Sequence, residues 1–358
     1  MEHNIELDNL SRLGSLRFTK KPRTFGTREN FFEKYDDHTF VQRFRLSKRS
    51  VSSVLDKLQH KIRNYTERNR ALSPLEMLLL ALRFYASGSF LITVADFCGV
   101  SVATASRVVR KVSIAIAELS AEYIKMPKTN MELEITARSF HRIASFPKVV
   151  GCIGCTHMKI QSPGGENAEI FRNRKGYFSY NVQAVCDADL VIRDIVCRWP
   201  GSAHDSNIFN NSRIKHRFEL NEFKDGFILG DSGYGVNRYM MTPLSHPNTD
   251  AERLYNESQI RTRNCIERCF GVWKRRFPVL SIGLRISHET VMAVVVACAV
   301  LHNIARKNGD ADPSEEDSCS TEESTETIYE YHSTESQEAS FMRSSLIRDY
   351  FAVYKSTL

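Results

Sequence analysis

The stretch KVVGCIGCTHMKI, from Lys148 to Ile160, is where the hydrophobic pattern of the chain changes from helical to strand-like. Its first part, KVVGCIG, is an apolar run with β-branched residues, which predicts a buried strand. The stretch also holds a CxxC pair, Cys152 and Cys155, with His157 two residues further on. What surrounds this strand decides both the fold and the meaning of the cysteine pair.

The residues that follow this strand predict a sheet covered by helices. YNVQAVCD and LVIRDIVCRW predict two strands joined by a tight turn at residues 187–189. FILGD, from Phe227 to Asp231, predicts a short buried strand that ends in a carboxylate. Two helices complete the region. SQIRTRNCIERCFGVWKRRFPVL predicts the first, whose apolar stripe is Ile266, Phe270, Trp273 and Phe277, and VMAVVVACAVLHNIARK predicts the second. This order predicts an α/β domain over residues 146–308.

The residues before this strand, 1–145, predict an all-helical region. Ser73, Pro74 and Glu76 supply an N-cap, a first helical residue and a capping box for one helix. VADFCGV predicts a short helix ending at Gly99, and Ser101 caps a second one, an arrangement similar to a helix-turn-helix. Three cations of the second helix are candidate DNA contacts: Arg107, Arg110 and Lys111. An ordinary helical corner with a solvated basic face has the same pattern, so both interpretations stay open.

The residues after the α/β domain differ sharply in composition. Residues 309–341 contain no Lys or Arg and are rich in Ser, Thr and Glu, which predicts a disordered acidic tail. The last segment, 342–358, includes SLIRDYFAVY, whose pattern predicts a short amphipathic docking piece.

The formal charge of the 358-residue chain is +7 and is unevenly distributed. Residues 1–308 carry 46 basic and 30 acidic side chains, a net charge of +16, whereas the remainder carries 3 basic and 12 acidic ones, a net charge of −9. The excess of positive charge in residues 1–308 favours a polyanionic partner such as nucleic acid, because phosphates release counterions when cations neutralise them. Solubility alone is the alternative explanation.

Other whole-chain features exclude several classes of protein. The apolar run VMAVVVACAVL is too short to cross a bilayer and predicts a buried helix. The polar first residues, MEHNIELDNL, do not resemble a secretory signal. Nine cysteines in a chain of this kind are expected to be reduced thiols. We therefore expect an intracellular protein with no membrane role.

Three carboxylates stand where chemistry could use them. Asp205 follows the third predicted strand near the start of a helix, Asp231 ends a buried strand, and Glu267 lies on a helix among arginines. Taken singly, each has a structural explanation: a helix cap, a turn former and an ion-pair partner. Taken together in a basic body, they are typical of a magnesium site for phosphoryl chemistry.

Several segments of the chain resemble the PIF/Harbinger family of transposases: FRNRKGYFSYNVQAVCD, WPGSAHDSNIF, ILGDSGY, NCIERCFGVWKRRF and VLHNIA. The resemblance covers most of residues 145–308. It implies an RNase H-like fold with a mixed sheet flanked by helices and a DDE carboxylate set that cuts DNA with a divalent metal, Mg²⁺ or Mn²⁺. Asp205, Asp231 and Glu267 match the acidic positions of the family.

The same resemblance implies partners and surroundings for the site. DNA is the expected substrate, held along its backbone by cations near Glu267, namely Arg261, Arg263, Lys274, Arg275 and Arg276. A separate Myb-like DNA-binding protein is a typical partner in the family. Nuclear residence follows from the DNA role, with cytoplasmic storage as an alternative, and the oligomeric state stays open.

At one position the chain departs from the family pattern. Where the family has a motif like GxIDGTH, whose Asp is the first metal ligand, this chain has GCIGCTH, with Gly154 at the Asp position. Zinc or redox chemistry for the CxxC pair is disfavoured: a zinc knuckle needs a second ligand pair, and haem attachment needs His directly after the second Cys. The pair is therefore interpreted as sequence drift at a strand end.

Two hypotheses about function follow. In the first, the protein is a transposase-derived, metal-dependent DNA endonuclease, a hydrolase impaired by the loss of one ligand, since metal ligands act as a unit. In the second, it is a catalytically inactive domesticated transposase that binds DNA or protein.

Overall fold

The computed structural model describes residues 28–64, 70–314 and 337–355, so most of the predicted acidic tail lies outside the described residues. Five strands form one mixed sheet in the order β3-β2-β1-β4-β5. β1 pairs with β2 and β2 with β3 antiparallel, whereas β1–β4 and β4–β5 are parallel. The strands are β1 (Val149–Lys159), β2 (Ser179–Cys186), β3 (Ile192–Pro200), β4 (Phe227–Leu229) and β5 (Met240–Met241). The predicted mixed sheet with flanking helices is confirmed and is consistent with a DDE nuclease fold.

The predicted tight turn between β2 and β3 is confirmed, and Asp187 organises it. Its Oδ1 accepts hydrogen bonds from the backbone N–H groups of Asp189 and Val191, both at 2.9 Å. Its Oδ2 pairs with Arg193 at 2.6 Å. One carboxylate thus accepts the backbone hydrogen bonds of the turn and fixes the register of the hairpin.

The first part of the chain is helical, as predicted. Its helices are α1 (Phe31–Lys34), α2 (Asp37–Phe44), α3 (Lys48–Ile62), α4 (Pro74–Ser87), α5 (Leu91–Phe97), α6 (Val102–Ala117), α7 (Ser120–Tyr123) and α8 (Asn130–Ala144). The capping box of Ser73 and Glu76 is present at α4, and Ser101 caps α6. The chain bends by 99° between α5 and the helical stretch that follows, at a turn where Gly99 has φ +63°. This angle gives a helical corner, and DNA contact there stays a prediction.

Helices cover both faces of the sheet. They are α9 (Asp205–Asn210), α10 (Arg213–Glu219), α11 (Asp250–Arg276), α12 (Val279–Ile282) and α13 (His288–Asn308), and a short 3₁₀ helix spans Ala168–Phe171. One face of the sheet, here the α11 face, packs Cys152 and Ala184 into a core with Trp273. The opposite face, the α10 face, packs Ile153 and Val185 with residues of α9 and α10. The predicted stripe of α11 is confirmed as buried.

The closing helix α13 is long and apolar enough to cross a membrane, the only unbent helix among the described residues to be so. However, 72% of its most apolar window is buried inside the protein. Its residues Val294, Cys298 and Leu301 are fully buried in the main core. This agrees with the predicted buried helix.

The C-terminal segment docks on the sheet domain. It consists of α14 (Gln337–Leu346), a π-helical turn at Ile347–Phe351 and α15 (Ala352–Lys355). Phe351 is 1% exposed and packs against Phe146 and Tyr255. The Tyr350 hydroxyl donates to the Ser145 carbonyl at 2.9 Å. The apolar side of the segment is therefore part of the fold.

Two aspartates directly after α13 join the helical region to the sheet domain. Asp310 accepts hydrogen bonds from the Ser47 backbone N–H at 3.0 Å and its hydroxyl at 2.6 Å, at the start of α3. Asp312 pairs with Arg276 at 3.0 Å and with Arg306 at 2.6 Å. Both residues fall in the predicted acidic tail, yet they are packed into the fold, which corrects the predicted start of the tail.

We expect the substitution Asp312→Asn to lower the free energy of unfolding by about 1–3 kcal/mol. The physical reason is that Arg276, 1% exposed, would keep its charge and lose a charged partner. Urea unfolding measures the change. Asp349→Asn is the control, because its pair with Arg348 is exposed and screened by solvent, so its loss should change stability little. Equal small losses of unfolding free energy in both variants would show that Asp312 is not needed to join the helical region to the sheet domain.

A second carboxylate, Asp194 on β3, is half-buried on the α10 face. Its burial raises the pKa to about 6, although Arg217 and Arg213 oppose the shift. Since this pKa lies above that of an unfolded Asp, near 4, the folded protein keeps the proton longer. Stability is therefore lost as the pH rises from about 4 to about 6.

We expect Asp194→Asn to raise the melting temperature at pH 8, by the equivalent of about 1–3 kcal/mol, and to have no effect at pH 4. Thermal melts at both pH values test this. Asp225→Asn should show the opposite sign at pH 8, because a hydrogen bond from Lys148 lowers the pKa of that carboxyl. If Asp194→Asn gave no gain at pH 8, Asp194 would not titrate as described.

Candidate active site

Asp231 lies one residue beyond Gly230 at the carboxyl end of the parallel strand β4, where ligand sites of open sheets gather. Its Oδ1 accepts a hydrogen bond from the backbone N–H of Gly233 at 2.9 Å. The Asp231 carbonyl accepts a second one from Tyr234 N–H at 3.2 Å. This turn holds the carboxylate at the sheet edge with its Oδ2 facing α11.

Arg263 of α11 connects two of the three predicted carboxylates. One guanidinium nitrogen, Nη2, donates to Asp231 Oδ2 at 3.0 Å and to Glu267 Oε1 at 2.7 Å. The two oxygens are therefore at most 5.7 Å apart, the sum of these distances. The Arg263 side chain is 12% exposed, whereas Asp231 and Glu267 are 35% and 42% exposed. The structure thus brings Asp231 and Glu267 together at the surface with a buried cation between them.

Asp205, the third carboxylate, approaches from the α10 face as the first residue of α9. Its Oδ1 accepts a hydrogen bond from Asn181 Nδ2 at 3.0 Å. Burial raises the pKa of Asp205, and the nearby charge of Asp231 raises it further. The Cys155 thiol is also near this carboxyl and lies 3.4 Å from the Tyr234 hydroxyl. Asp205 is therefore close enough to Asp231 for the charges to interact, but it is held by a neutral donor, Asn181.

Gly154, at the position of the missing ligand, faces the α11 side of the sheet. A Cβ built there would lie 3.2 Å from Ile266 Cγ1 and 3.4 Å from Phe270 Cε2. Ile266 directly precedes Glu267, so position 154 lies beneath the turn of α11 that carries Glu267. Glycine offers no oxygen there, and the apolar side chains of α11 close over it.

The CxxC pair is divided between the two faces of β1. Cys152 is buried on the α11 face, where its thiol donates to the Thr262 carbonyl at 3.4 Å, while Cys155 faces Tyr234 and Asp205 on the other. Burial raises the pKa of both thiols. Two side chains on opposite faces of a strand cannot ligate one ion. All eight cysteines of the described residues are free thiols.

The candidate DNA contacts of the helical corner differ in accessibility. Arg107 is exposed and hydrogen-bonds within its own helix. Arg110 is exposed and pairs with Glu289 at 3.0 Å. Lys111 donates to the backbone carbonyls of Ile62 and Arg63 and so closes the end of α3. Arg107 and Arg110 could reach a phosphate with little rearrangement, whereas Lys111 has a structural role.

The candidate DNA contacts on α11 also differ in accessibility. Arg261 is exposed and pairs with Glu257 at 3.1 Å, and Lys274 and Arg275 are half-buried. Arg276 requires a correction. Its guanidinium is buried and bonded to Asp312 and to the carbonyls of Arg45 and Ala311, so it is not available to DNA.

Sequence reasoning missed the residues that support the carboxylates. Asn181 and Tyr234 hold Asp205 and its neighbour Cys155, and Arg263, predicted as a DNA contact, bridges Asp231 and Glu267. The available signal was Asn181 itself, a polar side chain within the buried run YNVQAV. Polar groups inside a strand must find partners, which makes such a position worth examining.

The donor set fits one divalent cation and does not fit two. Asp231 and Glu267 offer hard oxygens within 5.7 Å of each other, and Mg²⁺ commonly uses one or two carboxylates together with substrate phosphates and water. A second ion would need an oxygen from position 154, and a protonated thiol on the other face is no substitute. Among the described residues, no three His, Cys, Asp or Glu side chains lie close enough to enclose an ion.

Comparisons with known proteins identify the family of the chain. Residues 153–303 match the DDE superfamily endonuclease family, a range that contains all three carboxylates. The chain is 34% identical over 290 residues to "Putative nuclease HARBI1" of Homo sapiens, covering 80% of this chain and 83% of that one. The chain belongs to the HARBI1 family of transposase-derived nucleases.

Other relatives extend the comparison. HARBI1 of Xenopus laevis is 30% identical over 305 residues, 84% of this chain and 87% of that one. "Protein ALP1-like" of Arabidopsis thaliana is 23% identical over 297 residues, 75% of this chain and 71% of that one. No solved structure matches the chain.

We expect Arg263→Gln to raise the affinity of the protein for Mn²⁺ by about tenfold, equivalent to about 1.4 kcal/mol. Arg263 competes with a metal for both carboxylates, and the substitution removes its charge. Free Mn²⁺ measured by electron paramagnetic resonance during a titration gives the affinity. Arg261→Gln is the matched control, since Arg261 lies on the same helix and pairs only with exposed Glu257. An Arg263 variant that bound Mn²⁺ no better than the control would contradict the competition.

Proposed function

We propose that this protein is a metal-dependent DNA endonuclease of low activity, with Asp205, Asp231 and Glu267 as its carboxylates. One observation carries the proposal: Asp231 and Glu267 meet within 5.7 Å at the carboxyl edge of the sheet, with Asp205 beside them. Low activity follows from Gly154, which supplies no ligand where the family resemblance calls for one.

The residues of the site have separate tasks in this proposal. Asp231 and Glu267 would hold Mg²⁺ or Mn²⁺, whose chemistry when bound is to polarise a phosphoryl oxygen and to activate water. Asn181 orients Asp205 through the 3.0 Å hydrogen bond. Without metal, Arg263 offsets part of the charge of Asp231 and Glu267 and keeps both in place. Ile266 and Phe270 exclude water from the position that Gly154 leaves empty.

DNA is the proposed substrate, and the charge of the chain supports it. The net charge of +16 over residues 1–308 favours a polyanion. Arg107 and Arg110 on the helical corner and Arg261, Lys274 and Arg275 on α11 are the proposed backbone contacts. A Myb-like DNA-binding partner and residence in the nucleus, with cytoplasmic storage, are proposals that rest on the family resemblance.

A second candidate function is DNA binding without cleavage, as in a domesticated transposase. Two observations favour it: position 154 has no carboxylate, and Arg263 occupies the space between Asp231 and Glu267. In this alternative the carboxylates stabilise the fold through Arg263, and the basic surface performs the function.

Plasmid nicking in Mn²⁺ separates the two candidates. We expect slow nicking by the native chain, none by Glu267→Gln, and an increase on the order of a hundredfold in Gly154→Asp, because a restored ligand completes a set that acts as a unit. Gly154→Ala is the matched control: it introduces the same Cβ contact with Ile266 and no oxygen.

The outcomes have distinct meanings. Native nicking that persists in Glu267→Gln comes from a contaminant and removes the support for a nuclease. Absence of nicking in the native chain, with activity in Gly154→Asp, establishes the second candidate. If Gly154→Asp is inactive because Ile266 obstructs the carboxylate, the double variant Gly154→Asp, Ile266→Ala provides the room, because alanine lacks both contacting atoms, Cγ1 and Cγ2.

A further inference from the structure

A basic cleft of about 490 Å³ opens on the α10 face of the sheet, away from the three carboxylates. Three separate segments form it: the loop after α7, strand β3 and helix α10. Its charged lining residues are Lys125, Lys128, Arg193, Asp194, Arg213, His216, Arg217 and Glu222. Basic groups therefore outnumber carboxylates, and they come from parts of the chain that only the fold brings together.

The carboxylates near this cleft are already matched by cations. Glu222 pairs with Arg217 at 2.7 Å, and Asp187 of the hairpin turn pairs with Arg193 at 2.6 Å. Asp194, the other carboxylate of the lining, lies near Arg217 and Arg213, whose charges lower its pKa against the effect of burial. Five Lys and Arg side chains stand against two carboxylates in the lining, so a positive excess remains.

The remaining basic side chains face solvent. Lys125, Lys128, Arg213 and His216 are exposed, and none of them forms an ion pair within the part of the chain that the structure describes. Several like charges around one concave site raise the local potential and attract anions. Exposed cations on both walls, Lys128 on one and Arg213 on the other, are suited to phosphate groups, because each can turn towards an oxygen.

The cleft lies within reach of the carboxylate site along one DNA strand. Asp205 and Arg213 are joined by α9 and a two-residue connection, which limits their Cα atoms to about 18 Å apart. At about 3.4 Å per nucleotide of a duplex strand, this distance corresponds to roughly five nucleotides. A single strand could thus contact Asp205 and the cleft together.

We propose that this cleft binds the phosphodiester backbone of DNA a few nucleotides from the carboxylate site. The proposal rests on the proposed action on DNA and adds a contact surface that Arg107 and α11 do not provide. Such a contact positions the duplex and is independent of base sequence. An acidic polypeptide is less suited to the cleft, since its apolar lining is limited to Ala121, Ile124 and Met126.

The salt dependence of DNA binding tests the proposal. A labelled duplex is titrated with the native chain and with the double variant Lys128→Ala, Arg213→Ala at several salt concentrations, and fluorescence anisotropy gives the dissociation constant. We expect the slope of log affinity against log salt to become shallower by about 2, one unit for each phosphate that the variant no longer neutralises. The matched control is Arg49→Ala, Arg142→Ala, which removes two exposed cations elsewhere. Thermal melts must show that both variants fold.

Each outcome has a defined meaning. A slope that changes by the same amount in the control as in the cleft variant overturns the proposal. The proposal is also overturned if the cleft variant loses affinity only for an RNA duplex of the same sequence. It is overturned as well if labelled poly-glutamate binds as tightly as DNA and its binding depends equally on Lys128 and Arg213. A native chain that binds no DNA would end the proposed function as well, whereas binding through the cleft without nicking would leave the cleft intact.

Discussion

The packing of the helix Asp250–Arg276 across the sheet is the constraint on which the site depends. Ile266 and Trp273 anchor one side of this helix in the core. Arg263 and Glu267, one turn apart, are thereby fixed at the sheet edge, where Asp231 ends its strand. The carboxylates meet because the apolar side of the helix packs at one place on the sheet. A change in the core that moves this helix would therefore also move Arg263 and Glu267.

The loss of one carboxylate therefore has two consequences. Gly154 removes an oxygen from the site, and it also lets Ile266 and Phe270 approach the strand closely. At the same time Arg263 supplies the positive charge that Asp231 and Glu267 need when no metal is bound. Such a site keeps its shape without metal, since Arg263 holds both carboxylates and offsets part of their charge. The carboxylates can thus persist in the structure whether cleavage is weak or lost, and the proposed DNA binding by the basic surface does not depend on cleavage.

Much of the fold could be predicted because its signals are local. A change of hydrophobic period located the strands, and Ser73 with Glu76 marked a helix start. The carboxylates Asp205, Asp231 and Glu267 could be found from their places at element ends and from the family resemblance. Long-range contacts could not be predicted: within the run KRR nothing shows that Arg276 turns inward to Asp312. The bridging role of Arg263 and the basic cleft likewise depend on residues far apart in sequence.

Anomalous scattering from crystals of the full chain grown with Mn²⁺ and a DNA duplex would test the account most directly. The central claim is that the site holds one metal ion, between Asp231 and Glu267, and that Arg263 must move aside to admit it. The account predicts a single Mn²⁺ peak beside these two carboxylates, with the Arg263 guanidinium displaced. Two Mn²⁺ peaks, one of them lying against Gly154 and Asp205, would contradict it.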